Sequence, residues 1–145
     1  MNPRTLLGFD YGSRRIGVAV GQELTATARP LETLPCRNGQ PDWPALGRLI
    51  TTWQPDALVV GMPATADGTE TPFVLAAQRF TRQLHGRFGL PVYTSDERLS
   101  SREAERQLSA DQRRNQPGLV DRLAAQVILQ AWLDSQRTAS LSPYP

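Results

Sequence analysis

Asp10, Glu97 and Asp121 lie far apart in the chain, yet each stands where a carboxylate needs a reason. Asp10 ends an apolar run, Leu6-Leu7-Gly8-Phe9-Asp10, and leads into Tyr11-Gly12-Ser13-Arg14-Arg15. Glu97 follows a second β-rich run, Pro91-Val92-Tyr93-Thr94-Ser95, within Asp96-Glu97-Arg98-Leu99. Asp121 opens a helical pattern that continues through Arg122-Leu123-Ala124-Ala125-Gln126-Val127-Ile128-Leu129-Gln130. If the fold brings the three together, their oxygens form a hard-donor pocket suited to Mg²⁺ or Mn²⁺. Metal ions held in that way can drive water onto a phosphodiester.

Each position also has a plainer reading. At ~100° per residue, Arg122, Gln126, Gln130 and Asp134 share one polar arc, and Asp121 falls nearly opposite, with Ala124, Ala125, Ile128 and Trp132. An ionised carboxylate on a buried stripe is costly unless a cation or donors compensate it. A first-turn Asp can also answer the free backbone N–H groups and the helix dipole, so the helix alone leaves its role open. Asp10 stands at a strand's carboxyl end, where ligand sites of α/β sheets gather. Gly12 and Gly17 permit close backbone approach there and Arg14 and Arg15 offer positive charge, although an Asp that merely opens a turn fits too. Asp-Glu-Arg around Glu97 is ordinary surface composition.

The elements that must position these residues alternate between strand and helix, which argues for an α/β layer fold. Thr5 to Asp10 and Ile16 to Gly21 read as a hairpin about a polar, Gly-containing turn. A weaker run spans Arg29 to Leu34 and ends at Pro35, with Arg37-Asn38-Gly39-Gln40-Pro41 a loop by composition. Asp42 caps a helix to about Trp53, with Leu46, Leu49, Ile50 and Trp53 on one face, and Gln54-Pro55 stops it. Ala57-Leu58-Val59-Val60 is a continuous apolar run, as in a strand covered on both faces.

Beyond the loop from Gly61 to Glu70, Thr71 and Pro72 are a good N-cap and first-turn pair. Phe73, Ala77, Phe80 and Leu84 are the expected buried stripe of that helix. Pro91 to Ser95 is the next strand, Ser100 to Leu108 a short charged helix, and Ser109 to Gly118 a basic connection. The last helix covers Leu119 to about Gln136. Residues 1–137 are expected to form a single domain, and 138–145 a frayed tail.

The whole chain sets further bounds. At 145 residues it can bury roughly 70% of its unfolded surface in one domain without staples. Cys36 is the only cysteine, so no intrachain disulfide forms and a reducing, cytoplasmic setting is expected. Neither a signal-peptide core nor a run of ~20 apolar residues is present, which argues against a membrane role. Net charge is only +2, but all sixteen basic residues are arginine, so any phosphate contact here uses the bidentate guanidinium fork. Half of the arginines fall between Arg79 and Arg114. His85 reads as solvated and Cys36 as incidental. Gly61 to Gly68 lacks the endings of a P-loop or a dinucleotide fingerprint.

Four blocks together resemble the YqgF family, Holliday-junction-resolvase-like proteins also described as pre-16S rRNA nucleases. They are Phe9-Asp10-Tyr11-Gly12 through Arg15-Ile16-Gly17-Val18-Ala19, then Val59-Val60-Gly61-Met62-Pro63 with Asp67-Gly68-Thr69, then Asp96-Glu97-Arg98-Leu99-Ser100, and Val120-Asp121 through Ala124-Ala125 to Ile128-Leu129. The resemblance implies an RNase H-like α/β fold. Its central mixed sheet has five strands, the first three antiparallel, with helices on both faces. It also implies that Asp10, Glu97 and Asp121 converge at the carboxyl end of the first strand as catalytic metal ligands for two Mg²⁺ or Mn²⁺ ions. Arg15, Arg98 and Arg102 are then candidate substrate contacts, with Arg113 and Arg114 more peripheral. Many relatives carry a lysine just ahead of the third carboxylate, where this chain has Leu119 and no lysine anywhere.

The expected function is metal-dependent cleavage of structured nucleic acid in ribosome biogenesis. Precursor 16S rRNA is the favoured substrate and a branched DNA junction the alternative, with the protein a monomer or weak homodimer. Two rival classes remain open at this point: a nucleic-acid-binding factor that does not cut, and a relative of actin-like kinases and ATPases, whose first phosphate loop also carries Asp-x-Gly.

Overall fold

The computed structural model describes residues 3–62, 71–96 and 118–140. In chain order the elements are β1 (Thr5–Asp10), β2 (Arg15–Gln22), β3 (Thr27–Arg37), β4 (Gln40–Pro41), α1 (Trp43–Trp53), β5 (Ala57–Met62), α2 (Pro72–Phe88), β6 (Val92–Asp96) and α3 (Leu119–Ser140). They form one mixed sheet in the order β4-β3-β2-β1-β5-β6. The strands from β1 to β4 pair antiparallel, and β1, β5 and β6 run parallel. Five main strands are thus as expected, and β4 adds a two-residue sixth at the edge.

The local signals act where the residue types require. Asp42 Oδ1 accepts from the Ala45 N–H at 3.1 Å and Thr71 Oγ1 from the Val74 N–H at 3.2 Å, capping α1 and α2. Gln54 and Gly89 end these helices in the left-handed conformation. Ala57 to Val60 is fully buried, as befits a strand flanked by β1 and β6.

Four expectations need correction. β3 runs through Pro30 and Pro35 instead of stopping at the second, because most of its outer side makes no backbone ladder and proline costs little there. Arg37 to Pro41 is the tip of a β3–β4 hairpin, with Asn38 and Gly39 at φ 53° and 73°, the paired positive angles of an Asn-Gly turn. Cys36 accordingly lies in β3, not in a loop. On α2 the buried stripe starts at Val74, while Phe73 is 40% exposed and tilts over the Tyr11 ring at 5.9 Å. The last helix continues to Ser140, beyond Gln136.

Each face of the sheet has its own core. Leu7, Phe9, Tyr11, Ile16, Val18 and Val20 point towards α1 and α2, where Leu46, Leu49, Ala77, Phe80 and Leu84 meet them. Leu6, Ala19, Ala57 and Val59 point towards α3 and pack on Ala125, Ile128, Leu129 and Trp132. The polar arc of α3 is used as well. Gln130 Oε1 accepts from the Ala28 N–H at 2.9 Å, Gln126 Nε2 donates to the Ala28 carbonyl at 3.0 Å, and Gln130 Nε2 donates to Ala26 O at 2.8 Å. These side chains close the outer edge of β3 where no strand does.

Candidate active site

Along β1 the side chains alternate, so Asp10 shares a face with Gly8, which lies against Leu129 of α3. In the β1–β2 register Asp10 is the partner of Gly17. A Cβ at Gly17 would collide with the backbone carbonyl of Asp121. The first turn of α3 therefore rests on the bare backbone beside Asp10, and any larger residue at 17 would push it away. Two carboxylates separated by more than a hundred residues are brought to one corner through a single glycine.

The corner is fixed from the other side by β3. Gly17 pairs with Thr33, whose Oγ1 donates to Gly118 O at 2.6 Å while accepting from Arg122 Nη1 at 3.3 Å. Gly118, at φ 84°, turns the chain into α3. Arg15, at the start of β2, sends its Nε to Asp121 Oδ2 at 2.8 Å, with the Asp121 side chain 23% exposed and the arginine 53%. The buried stripe of α3 thus begins with a carboxylate that draws a cation.

β1, β5 and β6 are parallel and finish at the same edge, at Asp10, Met62 and Asp96. The register Phe9–Val60–Thr94 runs across it. Asp96 is the last residue of β6. Glu97, Arg98, Arg102, Arg113 and Arg114 lie outside the described residues, as do the expected charged helix and basic connection. Among the described residues no group of three His, Cys, Asp or Glu side chains could hold a metal. The described part of the proposed donor set is the Asp10–Asp121 pair, two hard-oxygen ligands on adjoining backbones, and that chemistry fits a divalent ion.

Beside the corner, Tyr11 is buried over Phe80, with ring centroids 5.1 Å apart, and its hydroxyl donates to Gly39 O at 3.1 Å. Burial pushes its phenol above the ordinary value, with Cys36 adding to the shift. This bond ties the β3–β4 hairpin to the residue that follows Asp10. His85 is exposed at the far end of α2, its Nδ1 3.0 Å from Leu90 O, in keeping with a solvated role.

A mixed sheet with β1–β2–β3 antiparallel, β5 and β6 parallel to β1, and helices on both faces is an RNase H-like architecture. Within that class the chain belongs to the RuvX family, described as Holliday junction resolvase, whose model matches residues 4–135. It is 53% identical over 135 residues to a protein of Azotobacter vinelandii named "Putative pre-16S rRNA nuclease", covering 90% of this chain and 94% of that one. A protein of the same name from Edwardsiella ictaluri is 46% identical over 138 residues, covering 94% and 99%. Two solved structures share the fold. The Fowlpox virus resolvase in complex with Holliday junction DNA has a TM-score of 0.57 at 12% identity, over 91% of this chain and 98% of that one. RuvC of T. thermophilus with its Holliday junction substrate has a TM-score of 0.52 at 20% identity, over 92% and 95%. The chain is accordingly a nuclease, an enzyme that hydrolyses phosphodiester bonds. Nucleases of this fold generally depend on divalent metal. No helix among the described residues is long and apolar enough to cross a membrane.

Proposed function

We propose that this chain is a metal-dependent nuclease of precursor 16S rRNA, with Asp10, Glu97 and Asp121 as its metal-holding catalytic residues. The observation that carries the reading is the seating of Asp121 on Gly17, the strand partner of Asp10. The name shared by relatives near 50% identity favours ribosomal RNA over branched DNA, and ribosomal precursor processing belongs to the cytoplasm. Two Mg²⁺ or Mn²⁺ ions, when bound, supply activation of the attacking water and stabilisation of the leaving oxygen.

The chain's own residues do the rest. Asp10 and Asp121 offer oxygens from β1 and α3, and Glu97 adds a third carboxylate just past the end of β6. Arg15 neutralises Asp121, and its exposed guanidinium is free to exchange that partner for a substrate phosphate once a metal takes the carboxylate. Arg98 and Arg102 follow the third carboxylate in sequence and serve as further phosphate contacts, with Arg113 and Arg114 on the approach to α3. Phosphate contacts position a strand without reading its sequence, so selectivity rests on the shape of the precursor.

The test is cleavage of precursor 16S rRNA and of a four-way DNA junction, side by side, by the wild type and by Asp10→Asn and Asp121→Asn. Loss of RNA cleavage in both variants, with cooperative unfolding retained, is expected. Junction cutting with RNA left intact would reverse the substrate. An Asp10→Asn protein that cuts normally would remove the site.

A further inference from the structure

Alternation along β2 and β3 places more than the carboxylates on the α3 face of the sheet. Ile16, Val18 and Leu34 point into the α1/α2 core with Cys36 packed against it, so Arg15, Thr33, Pro35 and Arg37 point the other way. Arg15 is the register partner of Pro35. Gly118 contacts Thr33 where α3 begins, and Pro35 and Arg37, further along β3, are exposed. Arg37 has no ion-pair partner among the described residues. Next to it Pro35, Arg37, Gln40, Pro41 and Asp42 line a groove of about 370 Å³. The Asn-Gly turn makes the hairpin tip compact, and the Tyr11–Gly39 bond holds it to the segment after Asp10.

We propose that Arg37 and this groove form a subsite for a nucleotide flanking the cut, on the strand that leaves the Asp10–Asp121 corner across β2 and β3. The inference rests on the nuclease reading of that corner and extends it by a binding site. The guanidinium takes the backbone phosphate, Pro35 gives the sugar an apolar wall, and Gln40, the register partner of Arg37, presents an amide to the base. Asp42 has one carboxylate oxygen committed to capping α1 and one left to accept a hydrogen bond. Thr33 is the β3 residue in register with Gly17 and Asp10, and Arg37 lies two strand spacings across and four residues further along, ~16 Å away by backbone spacing, so the phosphate held is a few nucleotides from the scissile one.

The experiment measures binding of single-stranded RNA oligonucleotides of increasing length, with Ca²⁺ in place of the active metal, at several salt concentrations. Wild type, Arg37→Gln, Arg37→Lys and a control with Arg48→Gln and Arg82→Gln are compared. Arg48 and Arg82 are exposed on α1 and α2, so the control removes twice the charge away from the groove. In Arg37→Gln the log–log salt slope is expected to fall by about 0.7, the single-strand value for one phosphate. Between 50 and 200 mM salt that is about two- to threefold less loss of affinity. The deficit should be absent for the shortest oligonucleotides and appear once the strand reaches the hairpin. Lysine should restore the slope, and the control should keep it. Wild-type binding with an unchanged slope in Arg37→Gln overturns this inference alone. A wild type that binds no RNA overturns the nuclease reading and this subsite with it.

Discussion

On the α1/α2 side of the sheet, Phe80 is surrounded by Tyr11, Phe9 and Trp43 at centroid distances of 5.1, 5.9 and 6.0 Å. On the α3 side the sheet offers glycines at 8, 17 and 21, and the helix settles close upon them. The first side gains stability from large rings that interdigitate, each worth ~1.5–3 kcal/mol of burial. The second gives up ring volume for nearness of backbones, and that nearness is what sets one carboxylate beside another. A face packed for strength can absorb change by repacking. One packed for position cannot, because the helix has no other height at which the Asp121 backbone rests on Gly17, the strand partner of Asp10.

The largest effect on stability should come from the aromatic side. Phe80→Ala should cost about 3–5 kcal/mol, read by urea unfolding, yet cleavage per folded molecule should stay near wild type. A folded but inactive Phe80→Ala would show that the two faces are not independent.

Gly17→Ala comes next in stability and first in function. The added methyl meets the Asp121 carbonyl and lifts the start of α3, costing about 1–3 kcal/mol as an overpacked contact, while cleavage should disappear. If Gly17→Ala cuts at the wild-type rate, the corner is not set by this contact.

Gln130→Ala probes the clasp on the edge of β3. It removes two hydrogen bonds from partly buried backbone groups and should cost about 1 kcal/mol, with faster hydrogen exchange at the Ala28 amide. Unaltered exchange there would mean that water serves that edge equally well.

The smallest change is at the opposite end of the sheet from the site, where Arg4 pairs with Glu23 at 2.9 Å. The hydrogen bond from Arg4 holds the Glu23 carboxyl below its ordinary 4.5, against a weaker opposing effect of burial. A depressed carboxyl stabilises the fold above its unfolded value, and the contribution is lost as pH falls through the folded one. Glu23→Gln should therefore cost up to ~1 kcal/mol at neutral pH, as for a partly exposed pair, and nothing in strong acid. Melting curves of both proteins from pH 7 down to pH 3 should converge. Curves that stay parallel would assign the loss to packing.

How much of this could be read from the chain depends on the range of the forces involved. Thr5 to Asp10, Ala57 to Val60, the caps at Asp42 and Thr71 and the stop at Gln54-Pro55 rest on local chemistry, and the structure has them as expected. The Asn38-Gly39 pair was equally local, and a two-residue Asn-Gly turn between β-rich runs is a strong hairpin signal. Cys36 and Arg37 on one side and Gln40 and Pro41 on the other are too short to announce themselves as strands.

Phe73 fits the helical period of its neighbours, but the sheet ends beneath it, and period alone does not report where a partner surface stops. Asp121 was visible as a carboxylate on the wrong side of its helix. Gly17 as its seat was not, because nothing in the β2 sequence says which backbone lies above. The glutamines at 126 and 130 fell on a polar arc that reads the same whether it meets water or a strand edge. Arg37 passed as loop composition until the hairpin gave it a face.

The sulfur at the top of β3 has a consequence of another kind. Cys36 is half-buried, and burial pushes its thiol up to about 11. Oxidation and disulfide exchange begin from the thiolate, and at pH 7 about one molecule in ten thousand would carry it. With no second cysteine in the chain, the protein has almost no redox chemistry of its own. Peroxide and air should leave it monothiol through long storage, and a maleimide label at Cys36 would need alkaline conditions to react at a useful rate.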